Sequence, residues 1–142
     1  MIASKAEVKN LAFNNNFDIE AVKDNVITLV ELEQVKPLLG LDLYNLVVSS
    51  PSSYIDLLEL LKPFIAYNVK YYINDGNHRK VGNKGVQIAT GGNEQPTEVE
   101  KAKRDALSFA NKYKSQINKY LKDNNLTVLI SDDSIINNII IL

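Results

Sequence analysis

The chain has 142 residues, 45% hydrophobic and 23% charged, with a net charge of −1. That suits a single domain burying about two-thirds of the surface its unfolded chain exposes, and no apolar run approaches the roughly 18 residues of a membrane span. Cysteine is absent, which excludes disulfides, thiolate metal sites and cysteine nucleophiles and fits a reducing compartment.

The start, "MIASKAEVKN", lacks a basic region followed by an apolar core, so no secretory signal is expected. Ser4 and Glu7 stand at capping-box spacing and predict a short first helix. "NNNFD" should end it, because Asn and Asp compete for backbone hydrogen bonds and favour turns. Over residues 18–39, Ile19, Val22, Val26, Ile27, Val30 and Leu32 keep helical spacing, and Gly40 stands where a left-handed C-terminal residue is wanted. "LDLYNLVVSS" predicts a further short helix, stopped by Ser49, Ser50 and Pro51.

Ser53 and Asp56 repeat the capping-box pattern before "YIDLLELLKPFIAYNVKYYIND", the predicted central helix. Tyr54, Leu57, Leu58, Leu61, Phe64, Ile65 and Tyr72 line one face, and Leu60, Tyr67 and Tyr71 widen it, which implies burial on more than one side. Pro63 should kink or split this helix, since it donates no hydrogen bond and crowds the preceding turn.

The segment "KVGNKGVQIATGGNEQPT" holds four of the six glycines, so an extended arm is expected at about residues 80–96. Within it Val86, Ile88 and Thr90 alternate with Gln87 and Ala89, as a short strand would. Gly82, Gly85, Gly91 and Gly92 are the expected hinges. Thr97 and Glu100 form a third capping box. It opens a last helix whose apolar positions are Val99, Ala102, Ala106, Phe109, Ala110, Tyr113, Ile117, Tyr120 and Leu121, and "KDNN" should stop it. The tail "LTVLISDDSIINNIIIL" is dense in β-branched residues and reads as strand, with "NNIIIL" a sticky edge if unpaired. The expected architecture is mainly α: a small bundle of four to five helices over residues 1–122, with the arm near 80–96 and an extended C-terminal tail at 123–142.

The charge is unevenly spread. Residues 1–60 carry 4 basic and 9 acidic side chains, residues 61–122 carry 12 and 5, and residues 123–142 carry none and 3. Such separation suits head-to-tail association of identical subunits, and equally an ordinary solvated surface.

Catalytic signals are weak. His78 is the only histidine, so a two-histidine metal site is excluded, and it reads as an exposed loop residue. No serine sits in a nucleophile-elbow pattern. "GNHRKVGNKG" fails as a phosphate loop, because Gly76 and Gly82 are one residue too far apart and no Lys-Ser/Thr follows. Neither an enzyme nor a cofactor is expected. Lys70, Arg79, Lys80 and Lys84 beside Tyr71 and Tyr72 could touch phosphates and stack on bases, but the isoelectric point near 5.8 argues against a dedicated DNA-binding domain.

Four stretches taken together, "LLGLDLY", the helix holding Pro63, Asn83-Lys84-Gly85-Val86 and "YKSQINKYL", resemble head–tail connector (adaptor) proteins of tailed bacteriophages, of the type found in crAss-like phages and Bacteroides prophages. The resemblance spans roughly residues 26–121. It implies a virion protein made in the bacterial cytoplasm. Copies of it form a ring beneath the portal, contact the portal protein and the next ring, and let DNA pass through the centre. It further implies that the segment between the last two helices and the C-terminal tail touch neighbours, which nominates Gly85, Val86, Ile88, Thr90, Ile136, Ile139, Ile140, Ile141 and Leu142 as interface residues. Arg79, Lys80 and Lys84 would face the DNA channel or an interface. The apolar "IINNIIIL" ending departs from the shortest family members and leaves the tail's partner open. The alternative reading is a small DNA-binding or regulatory interaction protein; no membrane is involved in either.

Overall fold

The computed structural model describes the backbone of residues 1–13, 19–83 and 94–126 and the side chains of residues 1–13, 20–75 and 98–126. Among these residues the chain is almost wholly helical, and no strand occurs. The expected helical bundle is therefore the fold; the arm's centre and residues 127–142 of the expected tail lie outside the described residues, while Asp123 still belongs to the last helix and residues 124–126 form its terminal turn.

Helix α1 (Lys5–Ala12) forms as its capping box predicts. The Glu7 amide donates to Ser4 Oγ at 3.2 Å, and the Ser4 amide donates to Glu7 Oε1 at 3.0 Å. Two orphan donors of the first turn are thereby satisfied. Val8 and Ala12 face inward, and Lys62 reaches across to pair with Glu7.

Residues 18–39, expected as one helix, are interrupted. A 3₁₀ turn at Ile19–Ala21 precedes α2 (Asp24–Val30), a π-helical turn (Glu31–Val35) and α3 (Lys36–Leu39). The Lys36 amide donates to Glu31 O, five residues back. Proline explains the widened turn: Pro37 lacks the amide that would bond to the Glu33 carbonyl, and its ring would crowd that carbonyl in a regular α-helix. Gly40 then adopts φ 83° and ψ 152°. Positive φ is as expected, but the extended ψ turns the chain straight into α4 (Leu41–Ser49) instead of making a left-handed cap.

After a 3₁₀ turn at Pro51–Tyr54, α5 (Ile55–Asn83) runs 29 residues without a break. Ser53 lies within that turn and does not cap the helix. Pro63 does not split it either: the ring is buried, and the helix continues past the one ladder bond it cannot make. Leu57, Leu61, Phe64, Ile65, Ala66 and Val69 are all buried, because α1, α2 and the last helix all pack on α5.

That last helix, α6 (Glu94–Asp123), starts three residues before its predicted Thr97 cap. Pro96 permits this, since its missing amide falls among the first-turn donors that have no intrahelical partner. The expected arm is accordingly shorter at both ends: residues 80–83 belong to α5 and residues 94–96 to α6. Gly82, proposed as a hinge, lies inside α5. Asp75 pairs with Lys103, while Tyr67 stacks on Phe109 and Tyr113. Falling numbers on α5 match rising numbers on α6, so the two helices form an antiparallel hairpin. Ala106 and Ala110 at the contact keep the backbones close. Phe109, expected in the core, is 46% exposed and lies flat on the Tyr67 ring at 4.9 Å.

"KDNN" ends α6 as predicted. Asn125 takes φ 60°, the Leu126 amide donates back to Leu121 O at 2.7 Å, and the half-buried Leu126 side chain packs on the core. A six-to-one bond with an apolar contact beyond the left-handed residue is the Schellman arrangement.

Candidate interface: a groove between two helices

The π turn carries one of the two polar side chains buried among the described residues. Glu31 is 2% exposed, and both its carboxylate oxygens accept hydrogen bonds. The amides of Ile2 and Ala3 donate to Oε2 at 2.7 and 3.5 Å, and the Tyr44 hydroxyl donates to Oε1 at 2.6 Å. Burial, then the hydrogen bond to Glu31 and its charge, push the Tyr44 phenol far above its ordinary value. Lys36 stands over the Tyr44 ring at 5.1 Å. A carboxylate so occupied ties the start of the chain and α4 to the π turn, and no acceptor is left facing solvent. Periodicity reading missed it because it tracks apolar residues. The available signal was an acid between Ile27, Val30 and Val35, on the stripe that faces the core.

Two hollows open beside this turn. One, of about 400 Å³, is lined by Leu29, Glu33 and Gln34, by Asn68, Tyr71, Tyr72 and Asp75 of α5, and by Leu107 of α6. The other, of about 280 Å³, shares Glu33 and Gln34 and adds Pro37, Leu38, Lys114 and Asn118. Joined through Glu33 and Gln34, they make one groove between the α2–α3 segment and α6, floored by α5 in the first hollow. Leu29 and Leu107 are 40% and 41% exposed at its lip.

The polar groups in the groove are mostly engaged with each other. The Tyr72 hydroxyl donates to Glu33 Oε1 at 2.6 Å and accepts from Gln34 Nε2 at 3.1 Å. Burial and the Glu33 hydrogen bond raise the Tyr72 phenol. Buried Asn68 donates its side-chain amide to Phe64 O at 2.9 Å. Lys103 forms ion pairs with Asp75 at 3.0 Å and with Glu100 at 3.6 Å and sits 5.8 Å from the centre of the Tyr71 ring. The Asp75 hydrogen bond raises the Lys103 ammonium despite opposing desolvation. Lys114 has no ion-pair partner among the described residues.

Tyr71 and Tyr72, considered for stacking on bases, are half-buried in mid-helix and engaged in these contacts. Arg79 and Lys80 belong to the final turns of α5, with their side chains outside the described residues. So does His78, whose backbone is helical and not in a loop. Lys84, Gly85, Val86, Ile88 and Thr90 lie outside the described residues, as do Ile136, Ile139, Ile140, Ile141 and Leu142. Of the flanking positions, Asn83 and Glu94 stand at the same end of the antiparallel α5–α6 pair. Among the described residues no group of three or more His, Asp or Glu could hold a metal ion. No described helix is long and apolar enough to cross a membrane.

Residues 35–127, from the end of the π turn through α6, match DUF6712, a family of unknown function. The chain belongs to that family. In this DUF6712 member the matched region includes the hairpin and most of the groove, while α1, α2 and Glu31 precede it. No curated protein and no solved structure matches the chain.

Proposed function

We propose that the protein is a structural virion component: a subunit of the ring below the portal that joins capsid to tail and lets DNA pass. The observation that carries this reading is the order of "LLGLDLY", the Pro63 helix, "NKGV" and "YKSQINKYL" along the chain. The hairpin geometry is compatible with it: two packed helices of 29 and 30 residues run antiparallel, so that Asn83 and Glu94, which bracket the nominated arm residues in the sequence, stand at the same end of the pair. The separation of acidic and basic segments suits head-to-tail contacts, which close into rings when the rotation allows. Its partners in this reading are copies of itself, the portal protein and the next ring.

The double variant Val86→Asp/Ile88→Asp tests the arm's part. It should retain the wild-type helical circular dichroism and fail to enter assembled particles. Incorporation at wild-type copy number would remove the arm from the interface.

A second reading, DNA contact, has one described observation in its favour. Between Asp105 and Asp123, α6 carries Lys112, Lys114, Lys119 and Lys122 with no acid, all exposed. These lysines spread over more than one side of α6, and Lys119 pairs with Asp123 at 3.2 Å; phosphate binding through them would weaken steeply with salt.

A further inference from the structure

We propose that residues 127–142 of this chain dock back into the groove between the α2–α3 segment and α6. The proposal does not rest on the connector reading. The described chain ends at Leu126, packed at the C-terminal end of α6, and the groove begins on that side with Pro37, Leu38, Lys114 and Asn118. It continues toward Leu29 and Leu107. Sixteen residues follow Leu126 in the sequence, a reach of roughly 50 Å when extended, against the roughly 28 Å of helical rise between Leu126 and Leu107.

The sequence falls into register with the groove. Lys114 lies 12 residues back along the chain from Leu126, about 18 Å at the helical rise. Asp132 lies six residues beyond Leu126, about 20 Å at the extended rise. An antiparallel return therefore brings Asp132 and Asp133 level with Lys114, the cation in that wall without a described partner. Leu107 lies 19 residues back, about 28 Å, and Ile135 nine residues on, about 30 Å. Ile135 and Ile136 thus arrive at the half-exposed Leu29 and Leu107, where an apolar occupant removes both leucines from water. Glu33, the acid shared by both hollows, is occupied by the Tyr72 hydroxyl, and Asp75 by Lys103. A tethered segment needs little intrinsic affinity, because its effective concentration is high.

The absence of native cysteine makes the test direct. In the full-length chain, Leu107→Cys/Ile135→Cys should close an intramolecular disulfide in a glutathione redox buffer, read by intact mass and peptide mapping. The control Lys112→Cys/Ile135→Cys uses an exposed α6 position that does not line the groove. We expect at least a tenfold higher equilibrium yield for the first pair, and a several-fold loss of it on adding Lys114→Glu. The pair Asn118→Cys/Ile130→Cys repeats the test at the groove's other end, should the first variant lose its helical circular dichroism. Equal yields in groove and control pairs would overturn the proposal. So would disulfides found only between two chains, which would assign the groove to the tail of a second copy.

Discussion

The two halves of α5 differ in what holds them. From Leu57 to Val69 the helix is enclosed on several sides, and Leu57, Leu61, Ile65 and Val69 have no exposed surface. From Lys70 to Asp75 every side chain is half-buried, and apart from Ile73, which packs on the core, the contacts are polar or aromatic: Tyr72 to Glu33 and Gln34, Asp75 to Lys103, Lys70 over the Phe13 ring. The first half is where burial of apolar area stabilises the fold. Beside this second half α6 and the α2–α3 segment leave the first hollow, which Tyr71, Tyr72 and Asp75 help to line. The first half thus carries most of the apolar burial, while the second supplies Tyr71, Tyr72 and Asp75, three of the four α5 residues that line the first hollow.

Substitutions should sharpen that division. Phe64→Ala, in the enclosed half, should lower unfolding free energy by about 3–5 kcal/mol, as large core deletions do, measured by urea denaturation. Glu31→Ala should cost about 3 kcal/mol, because it strands the buried amide of Ala3 and the half-buried donors of Ile2 and Tyr44. A loss below about 1 kcal/mol would mean that water replaces the carboxylate there.

Two pH effects should be smaller. The Tyr44 phenol is raised in the folded state above its ordinary 10.0. The unfolded chain releases this proton first, so the contribution is complete below pH 10 and is lost as pH rises above it. Tyr44→Phe should flatten the alkaline limb of the stability curve; an unchanged limb would contradict the assignment. The Lys62 hydrogen bond lowers the Glu7 carboxyl below 4.5 against the opposing effect of burial. Its contribution is present above the unfolded value and fades as pH falls through the depressed folded one. Lys62→Met should make the acid limb slightly shallower, detectable as a change in midpoint between pH 5 and pH 3.

The same division marks what was legible in the sequence. Helix identities followed from apolar spacing and from the Ser4–Glu7 box, since those are local properties. Helix ends were harder where tertiary packing outweighed propensity. Gly76 and Gly82, costing about 1 kcal/mol each in a helix interior, did not stop α5, and the Thr97 box did not start α6. The π turn could have been suspected from Pro37 only by asking where its missing hydrogen bond falls. Phe109 fitted the helical stripe, yet α6 meets α5 through alanines and leaves that ring at the surface. The groove depends on the distance between the α2–α3 segment and α6, which no local pattern encodes. Of the interface residues named in the sequence, only the point at which the arm departs can be compared with the described structure.

The most direct test of the functional account is quantitative mass spectrometry of purified particles of the phage that the connector reading requires to encode this chain. The connector reading predicts a copy number that is fixed from particle to particle and in simple ratio to the portal protein. Absence of the chain from mature particles would contradict it.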